Sequence, residues 1–251
     1  MTRVLLVPAA GLGTRLGSVL PKVLTPVAGR AMIDHILERY RHVAGAAVIV
    51  VHPDSHAAVA HHLQGDVTPL AFTEQAAPTG MLDAILEART AVLKWNPARV
   101  WITWCDQVGI SADTVTRLAA IEAASPDLAA IMPVVTQPVP YIHFERDADG
   151  RLVAVRQRRE GDTMPGTGTS DSGLFSLSRE AFENLLPEYA RAAERGAATG
   201  ERNFLPFLPW LAARTTVTTF EIAAEEAQGI NTPEDLAAVE SRLRPASGGA
   251  P

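Results

Sequence analysis

Apolar residues recur along this chain in two rhythms. Short, mostly apolar runs at Val4 to Val7, Ala46 to Val51, Val67 to Phe72, Arg99 to Trp104 and Leu128 to Met132 predict buried strands. Between them, Ala31 to Tyr40 sets Ile33, Ile36, Leu37 and Tyr40 at helical spacing. Ser55 to Leu63, Gly80 to Leu93 and Asp113 to Ala123 also read as helices, and Asn96-Pro97 ends the second of these. Strand and helix alternate, which predicts an α/β fold: a mostly parallel sheet with helices on both faces.

After Pro133 the rhythm changes. Val139 to Phe144 and Arg151 to Arg156 are β-like runs joined across Asp149-Gly150, so they predict a small hairpin-like β insertion. Pro138 and Pro140 mark its edges. Glu160 to Ser172 is rich in Gly, Thr, Ser and Asp and reads as a long loop of the kind that carries function. Ser178 caps a helix to Leu186, Pro187 starts another, and Asn203 to Ala213 reads as a further one. Thr215 to Ile222 alternates like a strand. Thr232-Pro233 opens a last helix to about Leu243. One domain over residues 1–244 is the simplest organisation, with a disordered tail at 245–251.

Composition narrows the functional classes. The chain has 251 residues, 47% hydrophobic and 20% charged, which suits a packed core. A net charge of −6 argues against nucleic acid or an anionic membrane as a bulk partner, so any phosphate site must be a local basic pocket. Cys105 stands alone, which excludes an intrachain disulfide and most cysteine zinc sites. No apolar run approaches the ~18 residues of a membrane span, and no signal peptide is readable, so a cytoplasmic location is expected.

The chemistry gathers first at Val4 to Val27. A strand breaks into Pro8, Ala9, Ala10, Gly11, Leu12, Gly13, Thr14 and Arg15, and Lys22 follows. Small residues let the backbone approach a ligand, and successive amides in such a loop can face an anion. Neither common phosphate fingerprint fits: Leu16 stands at the third glycine of G-x-G-x-x-G, and the Walker spacing is absent. Taken together, P-A-A-G-x-G-T-R and P-K-V-L-T-P-V-A-G-R resemble the signature of sugar-1-phosphate nucleotidyltransferases. The likeness is strongest to the uridyltransferase domain that acts on N-acetylglucosamine 1-phosphate. It runs from Val4 to Leu236 and is sparse between Pro133 and Phe204. It does not extend to the acyltransferase module of the bifunctional members.

The resemblance implies a nucleotide-diphospho-sugar transferase fold, with the glycine loop around the nucleotide and with Arg15 and Lys22 on its phosphates as the catalytic cations. It implies Mg²⁺ on Asp106 and Asn231; both are hard oxygen ligands of the kind Mg²⁺ prefers. It implies base recognition by Gln75 and Gly80, with Trp104 beside the nucleotide, and an acceptor site at Tyr141, Gln157 and Asp171. Departures cluster there: Cys105, Met81 and Ile142 stand where the family has Gly, Thr and Gly, and Gln157 and Asp171 where it has Glu and Asn. Asp171 exchanges a neutral amide for an acceptor-only carboxylate, which suits a hydroxyl or an amine. These changes point away from N-acetylglucosamine 1-phosphate as the acceptor.

The ordinary readings remain beside these. Asp106 can cap a turn, Asn231 can be a turn residue, and Cys105 reads best as core. Arg156, Arg158 and Arg159 read as a solvated run that could also reach an acceptor phosphate. His52, His56, His61 and His62 read as exposed. The expected reaction joins an NTP, with UTP favoured and CTP or GTP open, to a phosphorylated sugar or sugar-like alcohol, releasing pyrophosphate. A cytidylyl- or guanylyltransferase for a polyol, cyclitol or cofactor phosphate is the alternative enzyme, and a silent nucleotide sensor the alternative of another class. Acceptor, base and oligomeric state stay open.

Overall fold

The computed structural model describes residues 2–11, 13, 16–17 and 20–243. Arg15, Thr14 and the expected tail at 245–251 lie outside them. In chain order, β1 (Arg3–Pro8) is followed by a single 3₁₀ turn, Lys22–Leu24. A short ribbon, β2 (Pro26–Val27) and β3 (Arg30–Ala31), leads into α1 (Met32–Tyr40). Then come β4 (Ala46–Val51), α2 (Pro53–His62), β5 (Leu70–Glu74), α3 (Met81–Glu87) and α4 (Arg89–Leu93). β6 (Arg99–Thr103), α5 (Ala112–Ala124) and β7 (Ala130–Pro138) follow. The insertion is an antiparallel pair, β8 (Ile142–Arg146) and β9 (Leu152–Gln157). β10 (Thr167–Asp171) and β11 (Leu174–Ser178) lead through a π turn at Ala181–Leu185 into α6 (Leu186–Ala192). α7 (Phe207–Ala212), β12 (Val217–Glu221) and α8 (Pro233–Leu243) complete the described chain.

Among the described residues the main sheet has eight strands in the order β10-β7-β11-β6-β1-β4-β5, with β12 also on β7. β6, β1, β4 and β5 run parallel, β12 runs parallel to β7, and β10 and β11 run antiparallel to their neighbours. The apolar runs are continuous because both faces of the strands are covered. Val4, Leu6, Ala46, Val48 and Val50 enter the core layer that includes α3, α6 and α7. Leu5, Val7, Ala47, Ile49 and Val51 enter the opposite layer with α1, α5 and α8.

A buried charge knot fastens the sheet to α5. Glu122 is fully buried; it pairs with Arg3 at 2.6 Å and accepts from the Trp101 indole and the Ser176 hydroxyl. Arg99, also buried, lies 3.5 Å from the same carboxylate.

Several elements differ from the sequence reading. The third strand starts at Leu70, because Val67 is 80% exposed and sits in a turn outside the sheet. The run at Leu128 to Met132 continues to Pro138, its far half paired with β10. The segment Glu160 to Ser172 is not all loop, since Thr167–Asp171 is a strand. β11 has no counterpart in the pattern reading. Only Phe207–Ala212 of the Asn203 to Ala213 stretch is helical, and the Pro187 stretch continues the helix before it. No helix among the described residues is long and apolar enough to cross a membrane.

Candidate active site

Parallel strands with the same polarity bring their carboxyl ends to one edge, where open α/β sheets bind ligands. β1 delivers Pro8 to Gly11 there, β5 delivers Gln75, and β6 delivers Trp104 to Gln107. Two adjoining cavities occupy this edge. The smaller, about 380 Å³, is lined by Pro8, Ala10, Gly11, Gly13, Gln75 and Gly80, with His52, Ala76, Ala77, Pro78 and Ala84. The larger, about 610 Å³, is lined by Trp104, Asp106, Asn231, Tyr141, Gln157 and Asp171, with Gln107, Gln137, Ser170, Asn203 and Phe204. Met81 and Arg159 line both.

Most of the described sequence-predicted residues divide between the two cavities; Lys22 and Ala9 line neither. Ala9 is buried in the core and its N–H donates to the Val50 carbonyl. Trp104, expected beside the nucleotide with the glycine loop, lines the larger cavity and not the smaller one, packed against Phe175 and Phe204. Thr14 and Arg15 fall outside the described residues.

Lys22, Asp106 and Asn231, far apart in sequence, meet at one point. The Lys22 Nζ donates to Asp106 Oδ2 at 2.5 Å and to Asn231 Oδ1 at 2.9 Å. Local structure explains the convergence. The 3₁₀ turn behind Pro21 buries Val23 and turns Lys22 back toward the sheet. Gly13, at φ +65°, allows that approach: a Cβ there would lie 2.7 Å from Lys22 Cβ. The Ile230 N–H donates to the Asp106 carbonyl at 3.2 Å, which ties the two loops together. Asp235 then takes the N–H groups of Asn231 and Thr232, while its own N–H donates to Thr232 Oγ1. This reciprocal cap at the start of α8 fixes Asn231.

Gln75 presents a defined polarity to the smaller cavity. Its Nε2 donates to Thr79 Oγ1 at 3.2 Å and to the Gly80 carbonyl at 3.1 Å. Both amide hydrogens are engaged, so toward a ligand Gln75 is an acceptor. Gly80 adopts φ +117°, and a Cβ there would collide with the Arg202 backbone carbonyl.

Arg159 follows β9 and is held by Glu201 at 3.0 Å, by the Asn203 amide oxygen and by Glu160 at 3.7 Å. Glu160 anchors the facing loop: it accepts from the Thr199 and Asn203 side chains and from the Ala198 and Thr199 N–H groups. Burial alone would raise its pKa, but these donors outweigh burial and hold it down at about 2. Burial pushes the Cys105 thiol up to about 12, consistent with a core residue and not a nucleophile. Burial also raises Asp171 to about 6; the Gly173 N–H and the Trp104 indole partly offset this, and the Asp106 charge adds to it.

The donor set of Asp106 and Asn231 suits a cation. Two side-chain oxygens converge on one cationic nitrogen, and both are ligands Mg²⁺ accepts. The pair therefore fits a divalent ion. Among the described residues no group of three His, Cys, Asp or Glu side chains is arranged for a metal. His56 pairs with Glu74, His62 pairs with Asp34, and His52 caps α2.

Several lining residues were missed in the sequence: Gln107, Gln137, Ser170, Asn203, Phe204 and Asp235. Gln107 follows Asp106 directly, and Asp235 is the third residue after an evident Thr cap, so both had local signals. Gln137, Ser170 and Asn203 had none, because only the fold brings them together.

Several known proteins are similar to this chain. The bifunctional protein GlmU of Stenotrophomonas maltophilia (strain K279a) is 30% identical over 235 residues, covering 92% of this chain and 50% of that protein. GlmU of Bradyrhizobium diazoefficiens is 31% identical over 250 residues, covering 96% and 54%. The chain spans about half the length of these relatives. A crystal structure of a Bacillus anthracis protein assigned as a glucose-1-phosphate thymidylyltransferase, in complex with sucrose, superposes with a TM-score of 0.77. It shares 17% identity, with 99% of this chain and 98% of that one covered, and so shows the common fold. The MobA-like NTP transferase domain profile matches residues 5–165, and the chain belongs to that family.

Proposed function

We propose that the chain is a nucleotidyltransferase that condenses an NTP with a sugar or sugar-like phosphate, giving an NDP-linked product and pyrophosphate. The observation that carries this reading is the meeting of Lys22, Asp106 and Asn231 beside two adjoining cavities. One cavity bears the glycine loop and the other the acceptor candidates.

In this reading the NTP lies in the smaller cavity with its phosphates along Gly11 and Gly13. Gln75 accepts from a base edge that presents an N–H, as uracil and cytosine do. UTP is the favoured donor and CTP or GTP the alternatives. An oxygen of the acceptor phosphate attacks the α-phosphorus in line, a new P–O bond forms, and the bond to the β-phosphate oxygen breaks to release pyrophosphate. Such transfer needs positioning and charge neutralisation more than covalent help. Lys22 supplies a cation beside the cavities, and Arg159, lining both, supplies another where acceptor phosphate and nucleotide meet. Arg15 would add a third from the glycine loop. Asp106 and Asn231 would hold Mg²⁺, which when bound neutralises phosphoryl oxygens.

The test is pyrophosphate release with each NTP against a panel of phosphate monoesters, for the wild-type chain and Lys22→Ala. Release with a defined pair, lost in the variant, supports the reading. Equal release from both would remove Lys22 from the chemistry.

A further inference from the structure

The larger cavity carries a negative charge that the fold does not require. Asp171 ends β10 and lines that cavity with Trp104, Tyr141, Gln137 and Ser170. One carboxylate oxygen accepts the Gly173 N–H at 3.0 Å, closing a side-chain turn. The Trp104 indole lies near the same carboxylate. An asparagine oxygen would accept the Gly173 N–H equally well, without a half-buried charge. The charge is therefore surplus to the turn.

Among the described residues no Lys, Arg or His forms an ion pair with Asp171. Lys22 is committed to Asp106 and Asn231, and Arg159 to Glu201, Asn203 and Glu160. The neutral side chains Gln137, Ser170 and Gln157 share the wall, and Asp106 and Asp235 are its other carboxylates. Two aromatic residues, Trp104 and half-exposed Tyr141, share the cavity, and aromatic faces favour cations.

We propose that Asp171 binds a positively charged amino or quaternary ammonium group of the acceptor, so that the acceptor is a phosphate monoester carrying a cation. This rests on the reading of the larger cavity as the acceptor site. The cavity then offers both charges such a molecule needs: Arg159 for the phosphate and Asp171 for the cation. A bound cation would also favour the ionised carboxylate that burial disfavours.

The experiment compares matched pairs that differ only in charge, by calorimetric binding in the presence of a non-hydrolysable NTP analogue. Glucosamine 1-phosphate is set against glucose 1-phosphate, 2-aminoethyl phosphate against 2-hydroxyethyl phosphate, and choline phosphate against 3,3-dimethylbutyl phosphate. The charged member of at least one pair is expected to bind about tenfold or more tightly, the value of a charge-assisted hydrogen bond for an amine or of a desolvated cation–carboxylate and cation–π contact for a quaternary ammonium. Which pair responds separates an amino sugar from an aminoalkyl phosphate. Asp171→Asn is expected to bring that ratio close to unity. Equal binding within every pair, preference for the neutral members, no binding of any charged member, or a ratio that survives in Asp171→Asn would each overturn the proposal. Pyrophosphate release on the same compounds reports separately on the transferase reading: charge preference without release would count against that reading and leave the cation site standing.

Discussion

Replacing Lys22 by Met should loosen the free protein and open its cation position. The Lys22 and Asp106 side chains are only 11% and 14% exposed, and their bond is 2.5 Å long. A hydrogen bond to a charged group contributes about 1.5–3 kcal/mol, and its loss leaves Asp106 partly desolvated without its cation. Asn231 loses the 2.9 Å bond as well. With about 2 kcal/mol lost and about 2–4 °C per kcal/mol for a chain of this size, the melting temperature should fall by roughly 4–8 °C. Mg²⁺ without nucleotide should then distinguish the proteins. In the variant, an ion at 100 times its Kd returns about 2.7 kcal/mol, enough to restore the loss. In the wild type the ion must first displace an ammonium, so the gain is smaller. The assay is thermal unfolding with and without Mg²⁺, followed by pyrophosphate release, which should drop about 10²- to 10³-fold for loss of one fixed charge at the reacting phosphate. A variant that melts with the wild type and responds to Mg²⁺ identically would refute the reasoning.

Glu122→Ala should cost about 3–5 kcal/mol in urea unfolding, because Arg3 and Arg99 lose a fully buried partner; a loss below about 1 kcal/mol would contradict the charge knot. Gly80→Ala forces a side chain onto the Arg202 backbone at φ +117°, and should weaken NTP binding, measured by calorimetry, by about tenfold through roughly 1–3 kcal/mol of strain. Unchanged affinity would remove Gly80 from the nucleotide cavity. Asp171→Asn should stabilise the protein near neutral pH. The folded carboxyl, raised to about 6 from 3.8, holds its proton where the unfolded chain has lost it, so its penalty is absent below 3.8, grows between the two and is complete above 6. For this half-buried group about 1–2 kcal/mol is expected at pH ~7.5, shrinking as the pH falls toward ~5; a gain independent of pH would contradict it.

The physical reason some elements were legible is burial on both sides. Ala46–Val51 and Arg3–Pro8 lie between two core layers, so an unbroken apolar run marks them. α8 was legible from its cap, Thr232-Pro233, which the structure completes with Asp235. β10 was not, because TGTSD has no strand pattern of its own; it is a strand because Val134–Pro138 offers a free ladder edge. β11 is short and sits beside a polar segment, which hid it. The resemblance named Lys22, Asp106 and Asn231, but not that the Lys22 ammonium lies on both oxygens. That contact depends on the 3₁₀ turn, Gly13 and the Ile230 bond to Asp106, none of which is a pattern in sequence. The resemblance places Trp104 beside the nucleotide, but its ring lines the larger cavity, because a motif at a strand end fixes the edge a residue reaches and not the direction its ring packs.

The most direct test of the central claim is pyrophosphate release with Mg²⁺ from the four NTPs and a phosphate-monoester panel, run on the wild type and on Asp106→Ala. Release with one nucleotide–acceptor pair, lost with Asp106 while the fold is retained, is the predicted result. NTP binding in the smaller cavity with no release from any pair, across a panel containing the charged and neutral acceptors named above, would contradict the account and favour a nucleotide-binding protein without turnover.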